Sequence, residues 1–78
     1  MVITFITEDQ NINYSLICKN TEKFIRIKNA FYKEYPEYFD SHNIFIINGN
    51  IINKNKSLEE NKIKDNDKIY LRKKDEDR

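Results

Sequence analysis

The sequence predicts an α+β fold in which one mixed β-sheet packs on a single helix. Three observations lead to this prediction: strand-like β-branched and aromatic segments flank one amphipathic helical segment, turn-forming residues separate them, and the chain has only 78 residues. A single helix cannot bury its own apolar stripe, so it must lie across one face of the sheet. A chain this short forms one domain, which we place at residues 1–74, with a charged disordered tail at 75–78.

The N-terminal segment predicts a β-hairpin. Residues 2–7 are β-branched and aromatic, which is typical of a strand. A polar turn at residues 8–11 follows. Residues 12–16 then alternate between apolar and polar side chains, and Cys18 continues the inward face of this second strand.

A single main helix is predicted over residues 22–35. We expect Asn20 or Thr21 to cap its N-terminus, and Pro36 to end it because the residue before a proline disfavours helix. The helix and the residues leading into it form the most basic segment of the chain, with a net charge of +3 over residues 19–35, which indicates either a solvated face or a dock for an acidic partner. Its apolar stripe recurs at helical spacing: Phe24, Ile27, Ala30, Phe31 and Tyr35.

The second half predicts another hairpin and a final strand. Strands at residues 43–47 and 50–52 are joined by Asn48-Gly49, the strongest hairpin turn in the chain. Residues 36–43 are predicted to form a loop.

Ser57 and Glu60 have the spacing of a capping box, which predicts one short helical turn. Residues 68–72 alternate and predict the last strand. The side chains that we expect to face inward are Ile3, Phe5, Ile12, Tyr14, Leu16, Phe24, Ile27, Phe31, Phe45, Ile47, Leu58, Ile63, Ile69 and Leu71.

The order β-β-α-β-β-short helix-β, in a chain of this length, resembles the ubiquitin-like β-grasp family. Residues 44–52 look like the third and fourth strands of that family, with Gly49 at the family's turn glycine. The motif from Ser57-Leu58 through Ile63 to Ile69-x-Leu71 looks like its C-terminal half. The resemblance covers nearly the whole chain and implies a ubiquitin-like β-grasp fold.

The resemblance also implies two modes of action. Family members are either conjugated through a C-terminal Gly-Gly tail, or bind partner domains non-covalently through the sheet. The positions that match the Gly-Gly tail are Asp77 and Arg78, so we expect a non-conjugated protein-interaction module. Three alternatives stay open. They are the N-terminal domain of a larger proteasome-shuttle or ubiquitin-pathway protein, a modifier whose processed tail is absent from this sequence, and a short relative that binds splicing factors.

The expected binding surface follows from ubiquitin's small apolar patch. The resemblance places Ile46 at the centre of that patch, Tyr70 at its histidine and Arg72 at a small apolar position. We therefore expect a different partner-binding surface, centred on Ile46, Tyr70 and Arg72, with Ile6 and Gly49 at its rim. Expected partners are proteins, with ubiquitin-pathway or proteasome components as candidates.

Composition argues against most other functions. With 14 basic and 13 acidic residues the net charge is +1, so neither nucleic acid nor a membrane is an expected partner. The single Cys18 excludes a disulfide framework and is expected to be a structural thiol, and the single His42 has no Cys or His nearby in sequence. We therefore expect no enzyme activity, no catalytic or metal-binding residue and no cofactor. The chain is expected to be a monomer in the cytoplasm, the nucleus or both.

Overall fold

The computed structural model describes residues 1–7, 12–39 and 43–73. The predicted turn at 8–11, His42 and the predicted tail at 75–78 lie outside these residues. The described elements confirm the α+β class, with one sheet and one main helix. In chain order they are β1 (Val2–Thr7), β2 (Asn13–Ile17), α1 (Phe24–Glu34), a 3₁₀ helix (Pro36–Tyr38), β3 (Asn43–Ile47), β4 (Asn50–Ile51) and β5 (Lys68–Lys73).

The strands form one mixed sheet in the order β2-β1-β5-β3-β4. β1 and β5 run parallel, whereas the other three neighbouring pairs are antiparallel. β5 therefore lies in the centre, and β2 and β4 form the two edges. Since side chains alternate between the faces of a strand, one face of the sheet packs on α1. We call the opposite face the outer face.

The core fills the space between the sheet and α1. Phe5 of β1 stacks on Phe31 of α1 with ring centroids 4.9 Å apart, and Phe45 of β3 meets Phe24 edge to face at 5.4 Å. Most of the predicted inward side chains are buried, namely Ile3, Phe5, Phe24, Ile27, Phe31, Phe45, Ile47, Leu58, Ile63, Ile69 and Leu71.

The remaining predicted core residues lie at the edge of the sheet. Ile12, Tyr14 and Leu16 are only half-buried, because they lie on or beside β2, the edge strand of the described sheet. Cys18, at the end of the same face, is buried as predicted. Ile52 is buried as well; it is not among the side chains expected to face inward, although alternation after the outward Ile51 places it on the inner face.

The N-terminus of α1 is capped by backbone carbonyls. Lys23 occupies the N-cap position without a capping side-chain hydrogen bond. The prediction that Asn20 or Thr21 caps the helix is therefore wrong. The first two N–H groups of α1 instead donate to the carbonyls of Lys56 and Lys54, at 2.9 and 3.0 Å. A loop from the second half of the chain thus satisfies the groups that a local side chain was expected to satisfy.

Pro36 ends α1 as predicted. The last helical residue is Glu34, and Tyr35 leaves the helical region with a ψ of 72°. Pro36 then begins the 3₁₀ helix, within the segment predicted to be a loop.

Ser57 and Glu60 form the predicted capping box. The N–H of Glu60 donates to Ser57 Oγ at 3.0 Å, and the N–H of Ser57 donates to Glu60 Oε1 at 2.9 Å. The short helix predicted here is only one hydrogen-bonded turn, because Lys62 adopts a left-handed φ of 63° and ends it. The N–H of Ile63 donates to the carbonyl of Leu58 at 2.9 Å, and both side chains anchor the turn in the core.

Candidate protein-interaction surface

Four side chains from four strands form a row across the outer face. Ile6 of β1 pairs with Tyr70 of β5. Tyr70 also pairs with Ile46 of β3, which pairs in turn with Ile51 of β4. Directly paired residues share one face of a sheet, with Cβ atoms about 5 Å apart. We call these four residues the outer row.

The outer row is open to solvent in the centre of the sheet and at its β4 edge. Both neighbours of Tyr70 along β5 are buried toward α1, whereas Tyr70 itself is 47% exposed. Ile51 is 67% exposed, and Ile6 and Ile46 are half-buried. The row combines aliphatic area with an aromatic ring that carries one hydrogen-bonding hydroxyl, a composition that suits a protein partner.

Basic side chains flank the outer row along β5. Arg72 is exposed and pairs with Ile44, one step beyond the row. Lys68, also exposed, pairs with Thr4 on the other side of the row. None of the described outer-face residues on the five strands is acidic. The surface is therefore apolar in its centre and basic at its flanks, which favours a partner surface with acidic groups around an apolar contact.

The structure brings most of the predicted site residues together. Ile6, Ile46 and Tyr70 lie side by side in the outer row, and Arg72 lies one step away on the same face. Gly49 is separate from them, since it lies in the turn between β3 and β4.

Gly49 acts on this surface through the backbone. Asn48 and Gly49 have φ values of 51° and 81°, the positive values that a tight two-residue hairpin turn requires. A side chain at Gly49 would meet no atom within 4 Å, so conformation and not space favours glycine there. The turn sets the register that places Ile51 directly opposite Ile46.

Sequence reasoning missed two residues of the surface, Ile44 and Ile51. Both carried a usable signal. Ile44 is two positions from Ile46 on the same strand, so it must share its face. The place of Ile51 follows from the two-residue turn, because that turn pairs Ile47 with Asn50 and therefore Ile46 with Ile51.

The buried thiol of Cys18 lies apart from the outer row. It is 6% exposed, as expected of a structural cysteine. Burial, followed by the negative charge of Glu22, raises the pKa of the Cys18 thiol, although the N-terminal amine acts in the opposite direction. A raised pKa leaves little thiolate near neutral pH, which is the form that nucleophilic chemistry needs.

The basic surface of α1 is the second place where a partner could dock. Burial, followed by the positive charge of Lys54, lowers the pKa of Lys28. The Nζ of Lys28 lies 5.9 Å from the centroid of the Tyr32 ring. Arg26 and Lys33 are exposed and point to solvent. This surface offers charge without an exposed apolar row, so it favours long-range attraction over a specific contact.

No other type of site emerges from the described residues. They contain no cluster of three or more His, Cys, Asp or Glu side chains that could hold a metal ion. Nor does the described part of the chain have a helix long and apolar enough to cross a membrane. No protein-family model matches the sequence, and a search of curated proteins finds no significant match.

Proposed function

We propose that this chain is a ubiquitin-like module that binds protein partners non-covalently through its outer face. The observation that carries the proposal is the outer row, in which Ile6, Tyr70, Ile46 and Ile51 join four strands into one partly exposed apolar strip. The mixed sheet across one helix is compatible with a β-grasp arrangement, which supports the ubiquitin-like part of the proposal.

The chemistry of the row supports tight local contact. Tyrosine and arginine are among the residue types that most often dominate binding energy at interfaces, and Tyr70 and Arg72 lie two positions apart on one strand. Tyr70 lies between two isoleucines of neighbouring strands, so a partner that covers it also covers their exposed area. Lys68 and Arg72 then provide the polar rim.

The first experiment identifies partners that need the row. Wild type, Tyr70→Ser and Phe39→Ser are immobilised, and proteins retained from a cell extract are compared. Phe39 is a matched control, because it is a 66% exposed aromatic residue outside the sheet. Candidates are the proteins that wild type and Phe39→Ser retain and Tyr70→Ser loses.

The second experiment measures binding by a purified candidate. We expect the amide shift changes of the ¹⁵N-labelled domain to centre on β3, β4 and β5, and Tyr70→Ser to weaken binding by about tenfold or more. Phe39→Ser should bind as wild type does. Shift changes centred on α1, or equal binding by Tyr70→Ser, would contradict the proposal.

A further inference from the structure

We propose that two copies of this chain pair through edge strand β2 and join their sheets into one. This surface differs from the outer row, and the inference does not rest on the proposed function. It departs from the monomer that the sequence predicts.

Within the described residues, β2 has a neighbouring strand on one side only. At one end of the β1–β2 ladder the N-terminal amine of Met1 donates to the carbonyl of Cys18, and the N–H of Cys18 donates to the carbonyl of Met1, both at 2.9 Å. Along an antiparallel ladder, hydrogen-bonded pairs alternate with pairs that share no hydrogen bond. Leu16 and Tyr14, two and four positions before Cys18, therefore also direct their backbone groups toward β1. The N–H and C=O groups of Asn13, Ser15 and Ile17 therefore point away from the sheet, at its free edge.

β2 lacks the features that usually protect an edge strand. Its residues, Asn13–Ile17, include no charged side chain and no proline. Ile17, at the end of the strand, is 83% exposed. An uncharged edge with an exposed isoleucine is a template for the addition of another strand.

The pattern of outward groups on β2 is complementary to itself. Around a twofold axis through Ser15, the Ser15 residues of the two copies pair, and Asn13 of each copy pairs with Ile17 of the other. This arrangement contains three pairs with about two hydrogen bonds each, or about six in total. Every outward-pointing group of the strand then has a partner.

The same register covers the inner face of β2. Tyr14 and Leu16 face α1 but are only half-buried, and no strand of the described residues lies beyond this edge. In the twofold arrangement Tyr14 of each copy lies opposite Leu16 of the other. The two residues share no backbone hydrogen bond, and in an antiparallel ladder such pairs bring their side chains closest together. The second copy thus covers apolar area that a single copy leaves open.

The charges beside β2 favour a second copy over an unrelated peptide. The rings of Tyr14 and Tyr35 are 5.5 Å apart, which places the end of α1 beside the first half of β2. Residues 33–37, at that end, have two acidic residues and one basic residue. Residues 19–23, which lead from the other end of β2 into α1, have two basic residues and one acidic residue. Antiparallel pairing brings these unlike ends together.

The test compares Ser15→Pro with Ser15→Ala by sedimentation velocity over a wide range of concentration. Both variants lose the 2.8 Å hydrogen bond between Ser15 Oγ and Thr4 Oγ1, but only proline removes the outward N–H. We expect wild type and Ser15→Ala to dimerise at high concentration, and Ser15→Pro to weaken dimerisation by about tenfold or more. If Ser15→Pro does not fold, Ile17→Lys is used, since the Ile17 side chain is exposed.

Amide hydrogen exchange locates the interface. The N–H groups of Asn13, Ser15 and Ile17 should exchange more slowly at high concentration than at low concentration. A chain that stays monomeric at all concentrations would overturn the inference. So would a dimer in which these three amides stay unprotected, or equal dimerisation of the two Ser15 variants. Protection of these amides only by an added extended peptide would replace the second copy with a peptide partner.

Discussion

Replacing Asn61 with alanine is expected to destabilise the whole domain, because its side chain organises the loop after β4. Its Nδ2 donates to the carbonyls of Asn53 and Ser57, at 2.9 and 3.0 Å. Its Oδ1 accepts from the N–H of Asn53 at 2.9 Å. The same loop supplies the carbonyls of Lys54 and Lys56 that cap α1. One half-buried amide therefore connects this loop to the start of the helix.

The magnitude follows from the three shorter hydrogen bonds that Asn61→Ala removes, since a fourth, from Nδ2 to the carbonyl of Lys56, is long at 3.4 Å. Each contributes about 0.5–1.5 kcal/mol net, and water replaces part of the loss in a loop that is open to solvent. We therefore expect the free energy of unfolding to fall by about 2 kcal/mol. A domain of this size has about 4–12 kcal/mol in total, and the corresponding drop in Tm is about 10 °C.

Urea unfolding followed by circular dichroism measures this change. The matched control is Asn20→Ala, because Asn20 is exposed and its side chain makes no hydrogen bond to any described residue. The control should stay within about 0.5 kcal/mol of wild type, with an unchanged m value in both variants. A loss below about 0.5 kcal/mol for Asn61→Ala, or an equal loss for the control, would refute the reasoning.

Three further changes probe the turn, the core and the capping box. Gly49→Ala should lower the free energy of unfolding by about 1 kcal/mol in the urea titration, because a φ of 81° is strained for a residue with a Cβ. Gly49→Asn should lower it by less, because asparagine adopts positive φ more readily than alanine. Phe31→Ala removes a fully buried ring at the centre of the aromatic core and should lower the free energy of unfolding by about 3–5 kcal/mol, measured as a large fall in the urea midpoint. Hydrogen bonds from the backbone and then the side chain of Ser57 lower the pKa of Glu60 below its ordinary value of 4.5. The charged carboxylate of Glu60 therefore stabilises the fold above pH 4.5, and this stabilisation is lost as the pH falls and the carboxylate is protonated. The urea midpoints of wild type and Glu60→Gln should differ at neutral pH and converge below pH 4.5.

The helix and the sheet faces could be predicted because complete burial leaves a regular pattern in the sequence. Phe24, Ile27 and Phe31 recur at helical spacing, and all three are buried against the sheet. The Asn48-Gly49 turn was predictable for a different reason, since few dipeptides accept positive φ at both positions. In each case the physical requirement is local, so neighbouring residues are sufficient to reveal it.

The start of α1 could not be predicted in this way. Asn20 and Thr21 are suitable caps by local chemistry. The structure instead uses the carbonyls of Lys54 and Lys56, about thirty residues later in the chain. A backbone carbonyl has no side-chain signature, so nothing in the sequence distinguishes these positions from other loop residues.

The candidate surface could be predicted only in part from the sequence. Alternation along β3 and β5 predicts that Ile46 and Tyr70 leave the core, and both lie on the outer face. That they are direct neighbours depends on β5 lying between β1 and β3, which is a property of the strand order and not of either segment. The expectation that they act together came only from the family resemblance. The position of Ile51 follows from the hairpin register, in which the two-residue turn pairs Ile47 with Asn50 and then Ile46 with Ile51.

Strand order also separates the two proposed surfaces by mechanism. Tyr70 lies on the central strand, where the backbone has a neighbour on both sides, so a partner there gains only from side-chain contact. Ser15 lies on an edge, where backbone groups without a strand partner can pair with an added strand. β4 is also an edge, but its two residues offer few free groups, so Ile51 belongs with the first mechanism. Tyr70→Ser should therefore weaken partner binding and leave dimerisation intact, whereas Ser15→Pro should do the reverse. If either variant impaired both activities while remaining folded, the two surfaces would be coupled and this separation would be wrong.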